Sequence, residues 1–180
     1  MGLIEELDGV RQQVEKHFYA LNAAQLNWKP EASRWSIAQC LDHLMVTNGT
    51  YLPAFDKVLN GAYRLSFFQK LNPFKKAFGP AMVRSLGPQP KKKFKAPGLF
   101  APSASELPAN TVEQFSEHQE KLKRYFNRLQ QLDTENIVIA SPVSGFITFS
   151  LSDAMKIMVV HEQRHLEQAM AVLHHPNFPS

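Results

Sequence analysis

Two histidines four residues apart make the clearest chemical suggestion in this chain. They stand in the run His161-Glu162-Gln163-Arg164-His165, inside a stretch with helical periodicity. On a helix, positions i and i+4 lie one above the other on one face, about 5–6 Å apart at Cβ. Both imidazoles can then reach one metal ion. The same letters spell the H-E-x-x-H pattern of zinc proteases, where the glutamate acts as general base. That chemistry needs a third protein ligand, usually downstream, and only fifteen residues follow His165. The longer form of the pattern asks for glycine at position 168 and histidine at 171, where this chain has Gln168 and Ala171. No strand-rich lobe for cradling a peptide is visible. A zinc protease therefore stands as an alternative reading, and Glu162 reads as a solvated charge beside the ligand face.

His161 and His165 share the inward stripe of their helix with Met158 and Val172. Burying two imidazoles side by side leaves each in need of partners, and a shared cation satisfies both. His43 is the third candidate. It lies in Gln39-Cys40-Leu41-Asp42-His43-Leu44, on a helical face shared with Ser36, Cys40, Thr47 and Tyr51. One imidazole from that helix and two from the last helix make a three-nitrogen site with open positions. Structural zinc is normally closed by four protein ligands, so an open site of this kind points to catalysis. Gln168, one turn past His165, and Asp42, beside His43, are the nearest candidates for orienting ligands or substrate. Each has a plainer reading as a local hydrogen-bonding residue. The remaining histidines need no chemistry. His174 and His175 sit at a helix end, where a cation suits the dipole, and His17 and His118 lie at the edges of apolar stripes.

Four helical segments position these residues. The first runs from Leu3 to Leu21. The second begins after Ser36, an N-cap with Gln39 at the capping-box spacing, and reaches Phe55 with a bend or pause at Gly49 and Pro53. The third follows Thr111 and extends to Leu132. The fourth starts near Ser150 or Ser152 and is stopped by Pro176. A short loop containing Trp28-Lys29-Pro30 joins the first two. About fifty residues, Gly61 to Asn110, separate the second and third, with seven of the twelve prolines. Within them Leu65 to Leu86 is expected to form one or two short helices broken at Pro73 and Pro80. Ile137 to Thr148 reads as a short extended excursion. The expected architecture is all-α: a four-helix bundle with one long crossover between helices 2 and 3, in a single domain over residues 1–180.

At 180 residues with 44% apolar and 20% charged side chains, the composition is that of an ordinary globular protein. No apolar run is long enough to span a bilayer, and the acidic N-terminus reads as a helix start, not a signal peptide. The single cysteine, Cys40, cannot form an internal disulfide, so a reducing, cytoplasmic setting is expected. The net charge of +4 is unevenly placed: residues 61–100 hold nine Lys or Arg and no Asp or Glu, and the rest of the chain is net acidic. This segment can be a solvated loop, a cationic rim that attracts an acidic small-molecule substrate, or a contact with anionic lipid through residues 61–100, helped by Phe67, Phe68, Phe74 and Phe78. No nucleic-acid partner is expected, because no recognised binding motif is present.

Three blocks taken together resemble the DinB superfamily, in particular its YfiT-like branch. They are Trp28-Lys29-Pro30, then Arg34-Trp35-Ser36-Ile37-Ala38-Gln39 through His43-Leu44, then His161-Glu162-Gln163-Arg164-His165-Leu166-Glu167-Gln168. The resemblance spans nearly the whole chain. It implies a four-helix bundle in which three histidines bind a divalent metal, reported as nickel, zinc or iron, with His43, His161 and His165 at the matching positions. Relatives of this kind include thiol S-transferases that use low-molecular-weight thiols such as bacillithiol or mycothiol, a mycothiol-dependent isomerase, and proteins described as metal-dependent hydrolases. Many are homodimers, and many have no known activity. The expected function is thus a metal-dependent transferase or hydrolase, with a non-catalytic metal-binding bundle as the other class. The basic, proline-rich connection over 61–110 departs from the family pattern.

Overall fold

The computed structural model describes residues 2–70, 75–87 and 101–180. Among them are eight helices and a small antiparallel sheet. In chain order these are α1 (Leu3–Phe18), α2 (Ala23–Asn27), α3 (Ile37–Gly49), α4 (Leu52–Leu59), α5 (Phe67–Lys70), α6 (Lys75–Leu86), α7 (Thr111–Leu129), β1 (Val138–Ala140), β2 (Thr148–Ser150) and α8 (Leu151–Leu173). No helix among the described residues is long and apolar enough to cross a membrane.

Local chemistry sets most boundaries. Ser36 Oγ accepts from the Gln39 N–H at 3.1 Å while Gln39 Oε1 accepts from the Ser36 N–H at 3.3 Å, the reciprocal bonds of a capping box. Asn22 and Gln25 do the same for α2, at 3.0 Å each way. Ser150 Oγ accepts from the Asp153 N–H at 3.0 Å, and Asp153 sits in the first turn of α8, where a negative charge suits the helix dipole. The expected pause in the second helix separates α3 from α4, with Pro53 in the first turn of α4, where its missing N–H costs nothing.

Four expectations are corrected. The loop between α1 and α3 contains the short helix α2. Leu21 lies outside α1, which ends at Phe18. α7 ends at Leu129 and Leu132 is exposed, because the chain turns there toward β1. Pro80 does not break α6 but sits inside it. An interior proline costs roughly 3 kcal/mol; here Pro80 is exposed and α6 is held by packing against α8 and β2. The expected break at Pro73 lies outside the described residues, as do Phe74 and the stretch Lys91 to Lys95.

The long helices pack on one another, α1 and α3 each against both α7 and α8. Their apolar side chains form two clusters. One holds Phe55, Phe126, Phe149, Met155 and Met158; the other holds Phe18, Leu41, Phe115, Ala169 and Val172. β1 and β2 pair with Ile139 opposite Phe149, and both side chains are fully buried against the first cluster.

The space between the clusters is polar, and three helices contribute to it in register. On α8 the first cluster ends at Val159 and the second resumes at Ala169; His161, Glu162 and His165 lie between and are buried. On α7 Gln119 lies between Phe115 and Leu122. On the α3–α4 segment Asn48 lies between Leu44 and Tyr51. Each is a buried polar residue on an otherwise apolar stripe, so the helices meet through a polar layer that must satisfy itself.

Candidate metal centre

His43 enters the polar layer from α3, and His161 and His165 enter from α8. Every residue from Ile37 to Leu44 is buried, so the first two turns of α3 are packed on all sides, and the His43 residue is only 2% exposed. The three rings converge on their Nε2 atoms. His43 Nε2 lies 3.4 Å from His161 Nε2, and His165 Nε2 lies 3.1 Å from the same atom. One ligand nitrogen from each ring falls within 4.8 Å of the others. Two nitrogens bound at the usual length to one tetrahedral zinc would stand roughly 3.3 Å apart. The two separations from His161 Nε2 bracket that value.

Electrostatics favour neutral rings. Burial pushes His161 down to about 3, with further repulsion from His43 and Arg164. Burial likewise pushes His165 well below the usual histidine range, reinforced by His161, His43 and Arg164; Gln168 opposes this and is the weakest influence. A neutral imidazole carries one N–H and one lone pair. Three close Nε2 atoms cannot all be satisfied by one another's N–H groups, and a shared cation would satisfy every lone pair at once. The donor set therefore fits a metal ion: three buried histidines that could hold one. Thr47 Oγ1 lies 3.4 Å from His43 Nδ1, a contact suited to fixing the ring and its tautomer. His165 Nδ1 is buried without a hydrogen-bond partner. Trp35 covers one side of the cluster, its ring stacked 5.6 Å from His165 at 24° and 4.7 Å from His43.

Glu162 is not the solvated charge expected from the sequence. It is fully buried, and its Oε1 accepts from Asn48 Nδ2 at 2.7 Å and Gln119 Nε2 at 2.8 Å. Burial pushes its carboxyl up to about 8, against the opposing pull of these two amides. The physical reason lies in helix geometry: a residue next to His161 points about 100° around the helix, and in this fold that direction meets α7 and α3 rather than water. Asn48 and Gln119 were not singled out from the sequence. Their signal was present, since each interrupts an apolar stripe at helical spacing, but nothing in one stripe says what it faces.

Asp42 pairs with Ser103. Its carboxylate accepts from the Ser103 N–H at 2.5 Å and the Ser103 hydroxyl at 3.0 Å, which ties residues 101–107 along α3. Gln39 and Asn27 extend the same strap, Gln39 Nε2 donating to Ala104 O at 3.1 Å and Asn27 exchanging two bonds of 2.8 Å with Leu107. Gln168 is half-buried and beside His165. His17 pairs with Gln13, and His175 packs against Trp28, both away from the cluster. Cys40 is buried, and its thiol is pushed up to about 12 by that burial, so it offers no thiolate to the centre.

No curated protein and no solved structure matches the chain significantly. A family model for the DinB superfamily matches residues 6–169, which takes in all three histidines, Trp35 and the whole polar layer. The chain belongs to the DinB superfamily.

Proposed function

We propose that this protein is a metal-dependent enzyme acting on a small molecule, as a thiol S-transferase or a hydrolase, with His43, His161 and His165 as the ligands of one divalent ion. The observation that carries the reading is the convergence of three buried imidazole nitrogens within 4.8 Å. α1, α3, α7 and α8 would constitute the four-helix bundle, and the segment between α4 and α7 its one long crossover. A zinc, nickel or iron ion in that position supplies Lewis acidity and lowers the pKa of a bound water or thiol. The chain's own part is to keep His161 and His165 neutral by burial, to orient His43 through Thr47, and to shield one side of the cluster with Trp35. Three protein ligands leave positions for a substrate or a thiol co-substrate.

Glu162 counts against the protease alternative. A general base must reach the proton that it removes, and this carboxyl is fully buried with both amides of Asn48 and Gln119 bonded to its Oε1. The second reading, a metal-binding helical protein without catalysis, draws on the low exposure of the ligands, 2%, 9% and 7% for His43, His161 and His165. Elemental analysis of protein purified without added metal tests the site. Wild type should carry about one ion per chain and His161→Ala far less than stoichiometric amounts; a variant that keeps full occupancy would sink the assignment. Metal-dependent turnover of a thiol with an electrophile, or of an ester, separates the two readings. A metal that raises only the melting temperature favours the second.

A further inference from the structure

We propose that α5 and the tip of the β1–β2 hairpin form one docking surface for an anionic lipid bilayer. The two elements are some seventy-five residues apart in sequence, and the fold pins them together. Gln69 Nε2 donates to Gly145 O at 2.8 Å, and Tyr63 Oη accepts from the Ala140 N–H at 2.8 Å. Gln69 is itself held by Ser66, whose N–H bonds to Gln69 Oε1 at 2.9 Å. This brings three phenylalanines to one place, each within two residues of the Gln69–Gly145 bond. Phe67, Phe68 and Phe146 are 69%, 76% and 83% exposed, far outside the range of a core aromatic, and the first two rings pack edge to face at 5.9 Å.

Charge distinguishes the stretch of chain that carries this patch. The hairpin from Ile137 to Ser150 contains no charged residue, and residues 61–100, which lead into and out of α5, contain nine Lys or Arg and no Asp or Glu. Arg64 is exposed three residues before Phe67. The acidic residues nearest the hairpin in sequence, Glu135 and Asp153, lie beyond the far ends of both strands, roughly 10 Å of strand from the tip. An apolar aromatic wedge on a stretch of chain rich in Lys and Arg and free of Asp and Glu suits insertion at the headgroup boundary of anionic membranes. Area argues for lipid over a protein partner. Three largely exposed phenylalanine rings supply on the order of 500 Å², short of the ~800 Å² per partner of a standard protein interface. A membrane contact needs only the wedge and the charge.

The test is co-sedimentation of the full chain with vesicles of phosphatidylcholine alone and of phosphatidylcholine mixed with phosphatidylglycerol. Wild type should sediment with the mixed vesicles, weakly with the neutral ones, and less as salt is raised. The triple variant Phe67→Ser, Phe68→Ser, Phe146→Ser should lose on the order of tenfold in vesicle partitioning while remaining folded. If the triple variant unfolds, Phe146→Ser alone should still weaken partitioning. Equal partitioning of wild type and a folded variant would overturn the proposal, as would equal binding to both kinds of vesicle. So would a wild-type dimer in sedimentation velocity that the variant loses while neither binds vesicles, since the surface would then belong to a second copy of the chain.

Discussion

Replacing Glu162 by glutamine should stabilise the metal-free protein, and by an amount that grows with pH. The carboxyl is fully buried and held up to about 8 in the fold against an ordinary value of 4.5. Between those values the folded protein keeps a proton that the unfolded chain releases. Stability from this group is therefore complete below pH 4.5 and is lost as pH rises through 8. Each unit is worth about 1.4 kcal/mol, and roughly 2.5 units separate 4.5 from neutral pH, so the ceiling on the loss at pH 7 is about 3 kcal/mol. Glutamine has the shape of the protonated acid, can still accept from Asn48 and Gln119, and does not ionise. The assay is urea unfolding of wild type and Glu162→Gln after chelation, across a series from about pH 5 to pH 8. The stability difference should change by on the order of 1 kcal/mol per pH unit in favour of glutamine and then level off above pH 8. Histidine titrations occur in both proteins and cancel in the difference. A difference that is flat with pH, or that favours wild type at pH 8, would show that Asn48 and Gln119 hold the carboxylate ionised, and would refute the argument from burial.

Two further predictions concern parts of the fold outside the ligands. A Cβ added at Gly79 would lie 2.7 Å from the Asp153 Cβ, a contact that no rotamer change relieves. Gly79→Ala should therefore cost about 1–3 kcal/mol through overpacking, despite the better helix propensity of alanine; an unchanged or higher melting temperature would show that α6 does not seat closely on the start of α8. His118 Nε2 is buried without a partner, and burial, then Lys121, pushes the ring down to about 4. The folded protein refuses a proton that the unfolded chain takes up below about 6.5, so stability is lost as pH falls through that window. His118→Gln should make acid denaturation of the metal-free protein shallower, and superimposable acid limbs would assign the loss to other groups.

Much of this arrangement can be read from the order of residues, and the parts that cannot share a cause. Helical periodicity, the Ser36 and Ser150 caps and the Pro53 restart are encoded locally, within a turn or two, and the corresponding helices form where those signals stand. Pro80 shows the limit: its local cost is outweighed by packing on α8 and β2, which no window around it reveals. The pair His161 and His165 is legible because one helix turn makes neighbours of them. His43 could be nominated from its polar helical face and from the family resemblance, but its distance from the pair could not.

The order of residues alone specified the four main helical segments, the Ser36 cap, the i, i+4 histidine pair and the charge asymmetry of residues 61–100. Tertiary structure alone decided which groups face one another. It brought the His43 Nε2 to within 3.4 Å of His161. It turned Glu162 from an outward charge into a buried carboxyl between Asn48 and Gln119, directed Asp42 to Ser103, and set Phe146 beside α5 through the Gln69–Gly145 bond. Periodicity specifies the face of a helix to which a residue belongs. It carries no information about the helix that will cover that face, because covering depends on packing between segments far apart in the chain.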